Sequence, residues 1–181
     1  MSIKLNLGCG KDHKEGWVNV DKYDFTGSDV TGLLGIVLCD LGKDVWPWDD
    51  DSCEEAFCSH MIEHLTASER IHFINELHRV LQKDRGCQII APHWASCRAY
   101  GDLTHQWPPV SEFWFYYLNK KWRVENAPHS TYNDDVNFEC TWGYRLKGEI
   151  QVRNPEYQQY AMNYLKEAVE DIYATVIKKG E

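Results

Sequence analysis

The sequence predicts an α/β domain built on a mostly parallel sheet, and three observations carry that prediction. Short apolar runs that end in glycine or an acidic residue recur through the first 93 residues, an amphipathic helical segment precedes the last of them, and two strand-like segments lie near the end of the chain. Strand, turn, strand, helix, strand is the order of a parallel sheet with helices on its faces.

The first run is IKLNLGCG, in which Ile3, Leu5 and Leu7 alternate and lead into Gly8 and Gly10, a strand running into a turn that needs bare backbone. Trp17, Val18 and Val20 form the second, which ends at Asp21. Leu33 to Cys39 is a continuous apolar run ending at Asp40, as expected of a strand buried on both faces. EEAFCSHM reads as the fourth. In LTASERIHFINELHRVLQKDRG, Thr66 stands three residues before Glu69 as a capping box, Ile71, Ile74, Leu77 and Leu81 follow at helical spacing, and Gly86 lies beyond the end. CQIIAPH is the fifth strand, running up to Pro92. One joint is unusual. Only six residues separate Gly10 from Trp17, whereas a parallel crossover usually spans a dozen or more with a helix. Either the first crossover helix is reduced to a turn or the second strand starts later.

After Pro92 the chain becomes rich in aromatics, interrupted by Pro108 and Pro109, with no polar linker to mark a second domain. The expected organisation is one domain: a core over 1–93, an aromatic-rich lid or substrate insertion over 94–135, and closing strands with a helix over 136–181. NFECTWGYRL and DIYATVIKK read as strands that add as an antiparallel edge. Between them Tyr157, Tyr160, Ala161, Tyr164, Leu165 and Ala168 make one helical stripe.

A chain of 181 residues can bury about 70% of its unfolded surface without a staple. The formal charge of -9 would repel a phosphate backbone, so nucleic acid is disfavoured as a partner. No leader opens the sequence and no apolar run approaches ~18 residues, so a cytoplasmic protein with no membrane contact is expected. The seven cysteines include no C-x-x-C pair, which predicts reduced thiols. Cys39, Cys53, Cys58 and Cys87 sit in apolar runs as small hydrophobes.

Ligands of such sheets bind at the carboxyl ends of the strands, where Gly8, Gly10, Asp21, Asp40, Ser59, His60 and His93 all fall. G-x-G lets the main chain approach a ligand, but His13 stands where the dinucleotide pattern has its third glycine, so no pyrophosphate cradle is expected. Asp21 is placed to accept from ribose hydroxyls, and Asp40 with Leu41 to frame an adenine. SHMIEHL admits two readings. H-x-x-E-H is an inverted metalloprotease signature, but a zinc pair needs His60 and His64 on one helix with Glu63 as base. The segment starts at a strand end and the capped helix begins only near Thr66, so a cofactor loop without metal is expected. A zinc hydrolase using His60, Glu63 and His64 is the minor alternative.

His93 and His105 are the candidate general bases, since histidine titrates near neutrality. Asp102, Thr104 and His105 form either a polar cluster facing the ligand or a satisfied turn. Trp107, Phe113, Trp114, Tyr116, Tyr117 and Trp122 are expected to form an apolar lid, beside the basic Lys120, Lys121 and Arg123.

Taken in order, these motifs resemble the class I S-adenosylmethionine-dependent methyltransferases, in particular small type 11-like domains, including methyltransferase-like proteins carried by phages. LNLGCG looks like their glycine loop, GWVNVD their acidic second strand, CDL and WPWDDDSCEEAFCSHMIEHL their third strand, turn and fourth strand, and ELHRVLQKDRGCQIIAPH their helix and fifth strand. The resemblance spans about half the chain. It implies a Rossmann-like, mostly parallel seven-stranded sheet with helices on both faces and an antiparallel C-terminal pair. It also implies S-adenosylmethionine as cofactor, with Gly8, Cys9 and Gly10 at its amino-acid end, Asp21 at the ribose, Asp40 and Leu41 at the adenine, and Ser59 and His60 beside the sulfur. The implied reaction is in-line methyl transfer to a small-molecule or protein acceptor that the sequence does not name. His105, then His93, would be the base or the acceptor-orienting residue. The alternative on the same fold is a non-catalytic module that binds the cofactor or a partner.

Overall fold

The computed structural model describes residues 2–24 and 35–180. One sheet holds β1 (Ile3–Leu7), β2 (Val18–Asp21), β3 (Ile36–Leu38), β4 (Cys53–Ser59), β5 (Leu81–Pro92), β6 (Phe138–Leu146) and β7 (Val169–Lys178), in the spatial order β3-β2-β1-β4-β5-β7-β6. The first five strands are parallel; β7 runs antiparallel to β5, and β6 to β7. This is the mostly parallel seven-stranded sheet with an antiparallel C-terminal pair. Among the described residues the helices are α1 (Ala67–Val80), α2 (Arg98–Gly101), α3 (Glu112–Tyr116), α4 (Lys120–Asn126), α5 (Gly148–Gln151) and α6 (Pro155–Tyr164), with a 3-10 turn over Ile62–His64. Leu33 and Leu34 of the expected third strand lie outside the described residues. None of the helices among the described residues is long and apolar enough to cross a membrane.

Alternation along the strands divides the sheet into two faces. Leu5, Leu7, Ala56, Cys58, Cys87 and Ile89 point into the core, where Phe73, Ile74 and Leu77 of α1 and Phe115 of α3 join them. Helical cover is uneven. On the other face Lys4, Glu55, Phe57, Gln88 and Thr175 line an open groove of about 740 Å³, with Lys4 paired to Glu55 at 2.8 Å and Lys14 Nζ 4.0 Å from the Phe57 ring centroid.

The capping box is present: Thr66 Oγ1 accepts from the Glu69 backbone amide at 3.4 Å, and Glu69 Oε2 accepts from the Thr66 amide at 2.8 Å. The helix end differs from the expected one. Leu81 turns extended (ψ 136°) and pairs with Cys53, so it opens β5 and does not continue the helical stripe. Gly86 lies inside β5, where a Cβ would stand 2.9 Å from the Val176 carbonyl oxygen; close strand packing, not helix termination, accounts for it.

The short first crossover contains no helix. Two buried amides take over its work: Asn6 Nδ2 donates to Asp12 O and to Asn19 Oδ1, both at 2.8 Å, and Asn19 Oδ1 also accepts from Lys14 N at 2.8 Å. Asn19 Nδ2 donates to the carbonyls of Lys14 and Trp17. Backbone groups that a helix would have paired internally are satisfied by these side chains.

The tyrosine stripe also departs from expectation. In α6 only Ala161 is buried; Tyr157, Tyr160 and Tyr164 are exposed and pack along one another, while Leu165 and Ala168 lie past the helix end. The aromatic segment is divided in the same way. Phe115 and Leu118 are fully buried and Trp114 packs on the core, whereas Trp107, Phe113 and Tyr116 are exposed, the last two against Trp122. All seven cysteines are free thiols.

Candidate functional site

Four parallel strands end on one side of a cavity of about 640 Å³, within the range of small-molecule sites. Gly8 and Gly10 come from the loop after β1, Asp21 to Tyr23 from the end of β2, Cys39 to Leu41 from the end of β3, and His60, Met61, His64 and Leu65 from the segment after β4; Thr104 and Gln106 close it from the chain beyond β5. Six of the eight cofactor residues named from the sequence therefore share one wall. The other two do not line it. Cys9 is buried in the glycine loop and Ser59 is the last, half-buried residue of β4.

The glycine loop is fixed by its neighbours. Gly8 has φ +69°, and a Cβ there would stand 2.3 Å from Met61 Cγ, so the position demands glycine on both counts. Gly8 N and Cys9 N both donate to Val20 O at 2.9 Å. Asp21 is 9% exposed; its Oδ2 accepts from Gly10 N at 2.9 Å and its Oδ1 from Tyr23 N at 3.1 Å. A carboxylate has about four lone-pair sites, so tying the loop leaves acceptor capacity facing the cavity. At the β3 end Asp40 Oδ1 accepts from Gly42 N at 3.1 Å. Leu41 is anchored by its carbonyl, which accepts from Trp46 Nε1 at 3.2 Å, and Trp46 is itself 1% exposed and edge-on to Phe73.

Thiol chemistry is not favoured here. Burial, then the charge of Asp21, pushes Cys9 up to about 11. Burial, then Asp44 and Asp40, does the same for Cys39. Both stay protonated at neutral pH, and a thiolate is the reactive form.

His60 stands at φ +52°, a left-handed conformation uncommon outside glycine, with its amide donating to Ile90 O at 2.9 Å. Its Nδ1 lies 3.2 Å from Glu63 Oε1, and its Nε2 is 3.9 Å from Asp171 Oδ2. Asp171 is fully buried and held by Arg98 and Arg145. His60 and His64 do not share a regular helix, so the H-x-x-E-H spacing does not produce the zinc pair that a hydrolase would need. Glu63, His64 and His105 converge instead.

The two candidate bases part company. His105 does not line the cavity but stands behind His64, ring centroids 4.7 Å apart, with its Nδ1 3.3 Å from Ala99 O. Asp102 and Thr104 are one cluster with them: Thr104 N and Oγ1 both donate to Asp102 Oδ1, and these bonds hold the Asp102 carboxyl below its usual range. His93 is elsewhere. It is 4% exposed, its Nε2 is 2.9 Å from Glu112 Oε1, and its Nδ1 accepts from Ala95 N at 3.3 Å, so both ring nitrogens are engaged away from the cavity. Burial opposes the Glu112 charge, but hydrogen bonds from His93, its own backbone amide and Tyr144 prevail and hold that carboxyl down at about 2.

Met61, His64, Thr104 and Gln106 line the cavity too. His64 and Thr104 belong to motifs that the sequence singles out, while Met61 and Gln106 carry no mark in it. Arg70, 4% exposed, reaches from α1 to the carbonyls of Ile62 (3.0 Å), Glu63 (3.4 Å), Gln106 (3.3 Å) and Pro108, and Gln106 N donates to Glu63 O at 2.8 Å. An arginine at a core position of an amphipathic helix was the available signal, since a buried guanidinium must find several acceptors.

No protein-family model and no curated protein matches the chain. Solved structures do. A SAM-dependent methyltransferase from Archaeoglobus fulgidus aligns over 98% of this chain and 86% of its own, with TM-score 0.68 and 16% identity. The geranyl diphosphate C-methyltransferase of Streptomyces coelicolor, solved with Mg2+, geranyl diphosphate and S-adenosyl-L-homocysteine, aligns over 98% and 73% with TM-score 0.59 and 9% identity. The [4+2]-cyclase SpnF aligns over 99% and 76% with TM-score 0.54 and 12% identity. The chain therefore has the fold of the class I SAM-dependent methyltransferases.

Proposed function

We propose that the chain binds S-adenosylmethionine in the strand-tip cavity and transfers its methyl group to an acceptor. The observation that carries this reading is the convergence of Gly8, Gly10, Asp21, Asp40, Leu41 and His60, from four separate strand ends, on one cavity. Gly8 and Gly10 would receive the amino-acid end, Asp21 the ribose, Asp40 and Leu41 the adenine, and His60 with Met61 the region of the sulfur. Cys9 and Ser59 act from behind, by shaping the loop and the end of β4. The acceptor's lone pair forms a bond to the methyl carbon as the carbon–sulfur bond breaks, and the electron pair goes to sulfur, leaving a neutral thioether. Holding nucleophile and methyl in line supplies about 7 to 11 kcal/mol of the barrier reduction. His105, acting through His64, is the acceptor-orienting residue in this reading. His93 serves as a strut between β5 and α3. A small-molecule acceptor fits the cavity's size, and the net charge of -9 disfavours nucleic acid.

Because a cyclase shares the fold, fold alone does not assign methyl transfer; cofactor binding is the first thing to measure. At 100 times its dissociation constant, S-adenosylmethionine or its demethylated product should add about 2.7 kcal/mol, a rise in Tm of roughly 5 to 10 °C for a domain of this size. Asp21→Ala, shown folded by circular dichroism, should lose most of that rise. An unchanged shift in the variant would place the ligand somewhere other than this cavity.

A further inference from the structure

Three ligand-type side chains converge beside the cavity, on the side that His64 lines. One ligand atom from each of Glu63, His64 and His105 lies within 4.8 Å of the other two, and the surrounding hydrogen bonds fix what each one presents. Asp102 is a carboxylate and can only accept, so the Thr104 hydroxyl, 2.7 Å from Asp102 Oδ1, donates its proton there. Thr104 Oγ1 then offers only a lone pair to His64 Nδ1 at 2.9 Å, so Nδ1 carries a proton and, in the neutral ring, Nε2 holds the free lone pair. His105 Nδ1 faces the Ala99 carbonyl at 3.3 Å, again an acceptor only, so in the neutral ring its Nε2 holds the free lone pair as well, with Asp102 Oδ2 at 3.9 Å. Glu63 is 4% exposed; its Oε1 meets His60 Nδ1, and its Oε2 is buried with no hydrogen-bond partner.

A buried carboxylate oxygen without a partner is costly, and a cation removes that cost. Imidazoles whose far nitrogen is held by a carbonyl, or by a hydroxyl backed by a carboxylate, have the outer support that metal-ligating histidines characteristically show. The frame is fixed as well, because the Arg70 guanidinium and the Gln106 amide bind the Glu63 carbonyl and so tie the segment carrying Glu63 and His64 to the segment carrying His105.

We propose that Glu63, His64 and His105 bind a divalent first-row transition-metal ion, zinc being the ion this donor set suits, beside the strand-tip cavity that His64 lines. Two imidazoles and one carboxylate are the donor set of zinc sites that keep a coordination position open. His60 is not a ligand; it orients Glu63. The inference rests on the donor geometry alone and stands whether or not the cavity carries methyl transfer.

The test is a titration of chelator-treated, tag-free full-length protein with Zn2+ against a chromophoric chelator, repeated with Co2+ to record its visible absorption. One equivalent should bind, and bound Co2+ should show the spectrum of a low-coordinate nitrogen and oxygen site. Glu63→Gln, which keeps the shape of the side chain, and His105→Ala should each weaken Zn2+ by more than about 100-fold, and Thr104→Val, which removes outer support only, by about 10- to 100-fold. His72→Ala, a histidine outside the cluster, should leave affinity unchanged. Melting of each metal-free variant within a few degrees of the parent establishes that it is folded. Binding that is equal in parent, Glu63→Gln and His105→Ala would show surface adsorption and overturn the proposal. So would the absence of stoichiometric binding to the folded parent.

Discussion

The crossovers from β1 to β2 and from β4 to β5 connect neighbouring parallel strands by opposite means. The second uses α1, whose capping box and buried stripe of Phe73, Ile74 and Leu77 build the connection from helical propensity and apolar area. The first uses ten residues without a helix, held by the amides of Asn6 and Asn19. A helix distributes its stability over many small contacts. A polar network concentrates it in two side chains, each of which leaves several buried partners unsatisfied when removed.

The largest effect expected from this contrast is at Asn19. Asn19→Ala strips partners from Lys14 N, Lys14 O, Trp17 O and the Asn6 amide, and at the low end of the cost per unpaired group, about 1 kcal/mol for partly buried ones, it should cost roughly 4 kcal/mol in urea denaturation. The cofactor-dependent rise in Tm should fall with it. A loss under ~1 kcal/mol would mean that the turn holds itself.

Next in size is a pH effect carried by α1. Burial, then the charge of Lys178, pushes His78 down to about 4, and the ring stands edge-on to Phe138. A depressed folded value means that the unfolded chain takes up the proton first, so the contribution is present above the ordinary value near 6.5 and is lost as pH falls toward 4. The loss is up to about 3 kcal/mol, and His78→Leu should flatten the stability profile between those limits. Glu112 extends the acid sensitivity lower: its folded value of about 2 makes its contribution present above the usual carboxylate range and lost only as pH drops through that value.

The smallest effect belongs to the helical crossover itself. Thr66→Ala removes one cap and should cost about 1 kcal/mol, with the cofactor-dependent shift unchanged, because α1 survives on its buried face. If the two crossovers proved equally sensitive to single substitutions, the contrast between distributed and concentrated stability would fail.

The same contrast explains what was legible in the sequence. α1, the strands and the turn residues Gly8, Asp21 and Asp40 declare themselves through period, spacing and local chemistry, all visible within a few positions. Nothing local in the sequence pairs Asn6 with Asn19, and the short gap after Gly10 fits either a crossover reduced to a turn or a second strand that starts later. His93 is a candidate base by residue type, but its fate is set by Glu112, nineteen positions away in the sequence. Leu81 fits a helical stripe and is captured by Cys53 across the sheet. Arg70, Met61 and Thr104 act through partners that only the fold brings near. Residues whose role depends on a distant neighbour were the ones that pattern could not assign.

The turn that replaces the first crossover helix has an electrostatic consequence. Glycine loops that grip phosphates usually feed into a helix, whose N-terminal end carries about half a positive charge. Here nothing of that kind stands behind Gly8 and Gly10, and the carboxylates of Asp21 and Asp40 lie at the adjoining strand ends. With Asp21 and Asp40 at the strand ends and Lys22 the lysine among the lining residues, the charges at this mouth favour a cationic group over a phosphate.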